Sequence, residues 1–462
     1  MQTTIVAPAT AAGQSAVALV RLSGPESLSI LRKLTQADKV FPPRQQVFCR
    51  LKDGETVLDE ALVTYFPAPR SFTGEDVVEF ALHGSPYIRG RLLELLCQAG
   101  AVAAARGEFS YRAFLNGKMD LLEAQGLCDL ISAGNKAAHD LALSSLDGRL
   151  SEKFTHMKTA LSELLAQIEV RLDDVDEEMT PLSDEYVASL LQTQINALTK
   201  LADTFSVGKF IKEGLKTAIV GAPNCGKSSL LNALVGFDRA IVADQSGTTR
   251  DTVEESLDIA GHKIILTDTA GIREHALDPA EQEGMKRSLR AMEKADLVIF
   301  VTDLTRELTA QEKNLWQDIE KENKPVILVL NKTDQAPQGH CSLDGKALKT
   351  VYVSCKNGDG LETLKKEILA FVAAPQLAQE DGVMISNLRQ YEAVLHAQTE
   401  LESAMVQLKY QTGLELYAEH IRAALAALKD LIGEVTPDDV LGIIFLNSVW
   451  VSKCLNIKKY MT

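Results

Sequence analysis

Residues 217–235, TAIVGAPNCGKSSLLNALV, decide the fold. The apolar run Thr217–Val220 leads into Gly221-Ala-Pro-Asn-Cys-Gly-Lys-Ser228, and SLLNALVG follows with helical texture. The octet matches G-x-x-x-x-G-K-[ST], and a strand before with a helix after is the context this phosphate-binding motif requires. Its glycines let backbone amides wrap phosphate oxygens, and the helix N-terminus adds a favourable dipole. Lys227 is placed to reach the β- and γ-phosphates and Ser228 to bind Mg2+. Asn224, Cys225, Gly226 and Ser229 complete the loop.

Outward from this loop, apolar β-rich runs recur: KIILTD, LVIFVTD, VILVLNK and VYVSC, with helical segments between them. Together with TAIVG they predict a parallel, doubly wound sheet over residues 213–376. Its loops carry further nucleotide chemistry. SGTTRD holds Thr249, a candidate second Mg2+ ligand that senses the γ-phosphate. Asp268 of DTAG belongs to the Mg2+ shell, and Thr269, Ala270 and Gly271 follow it, Gly271 offering an amide near the γ-phosphate. NKTD, Asn331-Lys332-Thr333-Asp334, places a carboxylate that accepts guanine N1–H and the 2-amino proton, which adenine cannot offer. Ser354-Cys355-Lys356 then covers the base. Five motifs in order predict GTP binding. Many GTPases orient the attacking water with a glutamine two residues after the Ala of DTAG. Here that residue is Ile272, so either hydrolysis does not occur or another group does that work.

Residues 1–118 read as mixed α/β, with AVALVRL, ALVTYF and DVVEFALHG as strands and a helix near Tyr87–Ala99. Helical spacing dominates 119–212 and returns in 377–462. There Leu388, Tyr391, Leu395, Leu401, Met405 and Leu408 mark one expected apolar face, continued by Leu414, Ile421, Leu425, Leu428 and Ile432. The acidic run Asp173–Glu178 reads as a solvated loop or helix end. The fold class expected is a multidomain α/β and α protein: an N-terminal α/β domain, a helical bundle and an inserted Ras-like P-loop G domain with a doubly wound sheet.

Composition narrows the function. A net charge of -15 disfavours non-specific nucleic-acid binding, so any RNA contact needs a local basic patch or a basic partner. Seven cysteines with no C-x-x-C pair argue against a disulfide framework or zinc site and for reduced thiols in the cytoplasm. No run of 18 apolar residues predicts a membrane span, and the first basic residue, Arg21, comes too late for a signal peptide.

The stretches LVRLSG, SFTGED, EFALHG, RGEFSYRAFLNGKMDLLEAQ, APNCGKSSLLNAL, GTTRD, DTAGIRE and LGIIF, spread over nearly the whole length, resemble the MnmE (TrmE) family of tRNA modification GTPases. That family lies within the TrmE-Era-EngA-YihA-Septin-like GTPases. The resemblance implies an answer to Ile272: K+ together with G-domain dimerisation. Asn224 then looks like the K+ side-chain ligand, with the loop Ala243-Asp244-Gln245-Ser246-Gly247-Thr248 closing over it and Ala243, Gln245 and Thr248 completing the shell. Glu281 in EQEGM matches the family's water-orienting E-x-x-G; Glu283 is the alternative, because Glu281 lies one residue late. Arg250 and Arg273 flank the switches, either ordering them or standing as surface arginines. The N-terminal domain is similar to folate-binding domains, which implies dimerisation and a 5-formyltetrahydrofolate pocket lined by Arg21, Glu79 and Lys118. The implied activity is carboxymethylaminomethylation of the tRNA wobble uridine (position 34) at C5, as a homodimer with the FAD-dependent partner MnmG.

Three departures stand out. Ser246 replaces Pro or Ala and is read as harmless. Cys225 replaces a small residue beside a helix N-terminus, which either depresses the thiol pKa or leaves a packed side chain. The family ends in C-[ILV]-G-K soon after G-x-I-F, whereas here LNSVWVSKCLNIKKYMT follows, with Val449 at the cysteine position and Cys454 five residues late. The expectation is intact GTP hydrolysis with weakened or lost tRNA modification. The alternative functions are a ribosome-assembly switch of the Era/Der type, which would carry a KH-like or second G domain, and a GTP-binding scaffold without turnover.

Overall fold

The computed structural model describes residues 3–35, 39–173, 182–237, 254–268, 292–336, 343, 347–373, 382–411 and 413–434. The chain divides into two units, Met1–Ile131 with Ser145–Thr159 and Leu428–Thr462, and Ser132–Ser144 with Ala160–Ala427.

In the first unit the strands are β1 (Ile5–Pro8), β2 (Val17–Ser23), β3 (Gln46–Asp53), β4 (Thr56–Phe66), β5 (Val77–His83) and β6 (Val102–Ala103). They form one sheet in the order β3-β4-β5-β2-β1-β6, antiparallel except for β1 beside β6. Strand alternation sends Val20, Leu22, Val63, Val78 and Phe80 to one face. There they meet Ile30 and Leu31 of α1 (Ser27–Leu34) and Leu92 and Leu96 of α2 (Pro86–Gln98). The opposite parity leaves Arg21 and Glu79 partly exposed. Strand β3 is absent from the sequence reading because its inward residues, Cys49 and Leu51, alternate with Phe48, Arg50 and Lys52, a weak apolar signal. A further helix, α3 (Glu108–Leu115), follows β6.

Residues 121–173 form α4 (Leu121–Ser132), α5 (Lys136–Leu146) and α6 (Arg149–Asp173). Next come α7 (Asp184–Asp203), whose N-cap Ser183 accepts a hydrogen bond from the Tyr186 amide, and α8 (Phe205–Glu213).

The second sheet comprises β7 (Leu215–Val220), β8 (Glu254–Ile259), β9 (His262–Asp268), β10 (Leu297–Asp303), β11 (Val326–Asn331) and β12 (Lys349–Val353). Its order is β12-β11-β10-β7-β9-β8. Five strands are parallel, and β8 is an antiparallel edge that hairpins onto β9. Both faces are covered. Ile219, Ile299 and Val329 pack with Leu230 and Leu234 of α9 (Lys227–Phe237) and Leu364 and Ile368 of α11 (Leu361–Ala373). Val220, Phe300 and Leu328 pack with Leu315, Trp316 and Ile319 of α10 (Ala310–Lys321). Two buried faces explain why these strands read as unbroken apolar runs.

After this sheet come α12 (Leu388–Lys409) and α13 (Leu414–Ile432). Helix α12 packs along α7, and its buried residues are Gln390, Val394, Ala397, Leu401, Ala404 and Leu408. The expected face is therefore corrected. Leu388 and Leu395 are exposed, and Ala397 and Ala404 sit inside, where small side chains let two helix axes approach. On α13, Ile421, Leu425, Leu428 and Ile432 are buried as expected.

Candidate functional site

The phosphate loop leaves the C-terminal end of β7, where ligands bind in open α/β sheets. Asn224 holds a left-handed backbone (φ 63), which Asn tolerates better than most residues. Gly226 has φ 101, and a Cβ there would lie 2.1 Å from Asn331 Nδ2. Only glycine leaves that space. Asn331, almost fully buried, fills it and donates through Nδ2 to the Cys225 carbonyl at 2.9 Å. Its Oδ1 accepts from the Cys355 amide at 3.3 Å. One side chain thus staples the phosphate loop to the loop after β12.

Asp334 is oriented by Ser354, whose Oγ donates to Oδ1 at 2.9 Å and accepts from the Asn357 amide at 3.3 Å. Lys332 has φ 68, and its Nζ pairs with Asp303 Oδ2 at 2.6 Å. Burial disfavours the Asp303 charge, but hydrogen bonds from Lys332 and Thr305 outweigh it and hold the carboxyl below its ordinary range. Lys227 is buried and donates to the carbonyls of Gly221 (3.0 Å) and Ala222 (2.8 Å), so its ammonium sits inside the loop. Ser228 and Ser229 are exposed in the first turn of α9, and Lys356 is exposed beyond β12. The backbone of Asp268 ends β9 opposite Ile219 of β7.

In the first unit, Arg21 and Glu79 are cross-strand partners of β2 and β5. Arg21 Nη2 lies 2.7 Å from Glu79 Oε1, and Nε donates to the same oxygen at 2.9 Å. The guanidinium lies over the rings of Phe72 (5.1 Å) and Phe109 (5.9 Å). Lys118, exposed after α3, runs its stem past Gly74. Three residues far apart in the chain thus gather round the segment 71–76. The set offers an arginine-paired carboxylate, aromatic rings beside it, and a separate exposed ammonium on Lys118.

A family model described as "MnmE helical domain" matches residues 121–447, and one described as "GTP-binding protein TrmE N-terminus" matches 4–118. The chain is 41% identical to the tRNA modification GTPase MnmE of Aquifex aeolicus, over 96% of this chain and 98% of that one. The chain belongs to the MnmE family. The Akkermansia muciniphila member is also 41% identical, over 96% of this chain and 97% of its own. A solved chain of Aquifex aeolicus Era is 30% identical over 40% of this chain and 65% of its own, at a TM-score of 0.26.

Several family positions lie outside the described residues: Ala243, Asp244, Gln245, Ser246, Gly247, Thr248, Thr249 and Arg250 in the first switch, and Thr269, Ala270, Gly271, Ile272, Arg273, Glu281 and Glu283 in the second. The side chain of Asp268 and residues 435–462, with Val449 and Cys454, lie outside them too.

Of the two readings of Cys225, the packed one holds. The side chain is fully buried, and burial, only partly opposed by Lys227, pushes the thiol up rather than down. Cys355 is likewise pushed up to about 11 by burial.

Sequence reasoning missed a buried carboxylate behind the site. Glu312 accepts from Arg306 Nη1 at 2.8 Å and from the amide and hydroxyl of Thr309 at 2.8 and 2.9 Å. The signal was legible as Thr309-Ala-Gln-Glu312, a capping box at the start of α10. Burial works against the Glu312 charge, yet the Arg306 and Thr309 hydrogen bonds prevail and depress its pKa. Glu312→Ala is expected to cost about 2 kcal/mol at neutral pH, because it removes the acceptor of Arg306 and the carboxylate half of the capping box, while the Thr309 side chain still caps the helix. A depressed folded pKa stabilises above the unfolded pKa and stops doing so as pH falls through the folded value. The gap between wild type and variant should therefore shrink below about pH 4. Urea unfolding at pH 7 and at pH 3.5 checks both statements; a gap that is constant with pH would contradict the ion pair.

Proposed function

We propose that this chain is a K+-dependent GTPase that works with MnmG to add a carboxymethylaminomethyl group at C5 of the wobble uridine of certain tRNAs. Family membership supports GTP hydrolysis in tRNA modification; the finer reading is ours. The observation that carries it is the meeting of Asn331, Asp334, Ser354 and the phosphate loop at the C-terminal ends of parallel strands. A carboxylate aligned by Ser354 selects guanine, and the staple through Asn331 couples base recognition to the phosphates.

Ser228 and Thr249 would hold Mg2+, with Asp268 in its shell. Asn224, exposed at the loop's left-handed turn, would hold K+ with Ala243, Gln245 and Thr248. These ions supply positive charge where phosphoryl transfer develops negative charge. Lys227 neutralises the β- and γ-phosphates, Glu281 orients water, and Arg250 and Arg273 order the switches. The N-terminal unit binds 5-formyltetrahydrofolate through Arg21, Glu79 and Lys118 and forms a homodimer. The proposed place of work, where tRNA is modified, is the cytoplasm. No described helix is long and apolar enough to cross a membrane.

Mass spectrometry of wobble nucleosides in a strain lacking its own family member tests the whole reading. Expression of this chain re-ended in C-I-G-K after Phe445 should restore the carboxymethylaminomethyl nucleoside, the chain with Val449 at the cysteine position should restore less of it, and Lys227→Ala should abolish the restoration. A re-ended chain that hydrolyses GTP without changing any wobble nucleoside would sink the tRNA assignment and leave the GTPase standing.

A further inference from the structure

The segment Ser71–Asp76, SFTGED, is clamped from below at nearly every residue. Thr73 and Glu75 are buried. Ser23 Oγ lies 2.7 Å from Thr73 Oγ1 and donates to Glu75 Oε2 at 2.7 Å. Arg112 Nη1 donates to both Glu75 oxygens, at 3.1 and 3.2 Å. Asn116 Nδ2 donates to the Thr73 carbonyl at 2.7 Å. Between these anchors sits Gly74, with φ 78. A Cβ on Gly74 would stand 3.1 Å from Asn116 Cβ and 3.3 and 3.4 Å from Lys118 Cγ and Cδ. The stem of Lys118 therefore lies against the bare Cα, and a methyl at 74 would require Asn116 Cβ and that stem to give by a few tenths of an ångström.

We propose that Gly74 is a positioning residue for Lys118: its bare Cα is the seat along which the lysine stem lies, aiming the ammonium at the anionic tail of a bound folate. This rests on the folate reading proposed above. The chemistry decides which neighbour yields when the seat is filled. Asn116 is tied to the Thr73 carbonyl by a 2.7 Å bond that resists its retreat. Lys118 is exposed and flexible, so it moves. The left-handed backbone at 74 adds strain for any residue with a side chain, a cost to stability that does not itself move Lys118. Arg21 and Glu79 depend on a different part of the segment, through Phe72, and keep their pairing. Gly74 thus governs recognition of the tail and not of the ring.

The test uses the full chain and two ligands, 5-formyltetrahydrofolate and 5-formyl-6-methyltetrahydropterin, which lacks the glutamyl tail. Calorimetry is run on wild type, Gly74→Ala, Lys118→Ala and the double variant. Gly74→Ala should weaken the tailed ligand about tenfold, the scale of one hydrogen-bonded charge. The tail-less ligand should change less than about twofold, within the scale of a neutral surface change. In the double variant the loss should be no greater than in Lys118→Ala alone, since both act through one ammonium. Equal losses for both ligands, or additive losses, would mean that Gly74 only supports the fold and would overturn the proposal. A ligand-free crystal structure of Gly74→Ala reads the seat directly: a displaced Lys118 stem supports it, and an unmoved stem overturns it. Wild type that binds neither ligand would defeat the folate reading instead, while that crystal structure still decides whether Gly74 seats Lys118.

Discussion

Replacing Asp334 by Asn is expected to exchange guanine for xanthine preference. In the wild type, Ser354 engages one oxygen of the carboxylate at 2.9 Å, fixing the plane in which guanine N1–H and the 2-amino group donate. An asparagine amide can accept one of those protons but turns a donor toward the other. Two charge-assisted hydrogen bonds are lost or reversed, each worth about 1.5–3 kcal/mol. GTP affinity should therefore fall by about 1,000-fold. Xanthosine triphosphate presents an oxygen where guanine has its amino group, and the new amide donates to it. Competition binding with both nucleotides measures the exchange. The Asn331 staple is untouched by this change, so the phosphate loop keeps its geometry and the gain should be specific to the base. An unaltered preference would show that the base does not meet Asp334.

The second large effect concerns hydrolysis. Ile272 is apolar and cannot orient water, so Glu281 is expected to do so, with K+ supplying charge beside the phosphates. Glu281→Ala should leave GTP affinity within about twofold, because an orienter of water contributes little to ground-state binding. Single-turnover hydrolysis should drop by about 100-fold or more, the scale for removing a positioned general base. Replacing K+ by Na+ in the wild type should slow the same step and leave binding in place. Equal rates in the two salts would remove K+ from the reaction. An active Glu281→Ala would turn attention to Glu283, two residues on and also acidic.

The sequence by itself determined the nucleotide class and the architecture around it. G-x-x-x-x-G-K-S between a strand and a helix, NKTD and SCK are contiguous, and each states its chemistry within three to eight residues. The doubly wound sheet was legible for a related reason: strands buried on both faces need no partner to look apolar. The capping box at Thr309–Glu312 was equally local, although the sequence reading passed over it. What lay beyond the sequence depends on contacts between distant segments. Asn331 binds a carbonyl 106 residues away, so its role as a staple has no local signature. Arg21 and Glu79 are 58 residues apart; each alone reads as a surface charge, and only the β2–β5 register pairs them. Whether the Cys225 thiol is raised or lowered turned on its complete burial, which composition near a helix N-terminus cannot reveal. The inward face of α12 was misread because Leu395 is more apolar than Ala397. Close packing on α7 buries the small residue and leaves the large one outside. Periodicity reports which side chains avoid water on average. Which of them an approaching helix or loop has room for is set by the volume left between elements, and that exists only in the folded chain.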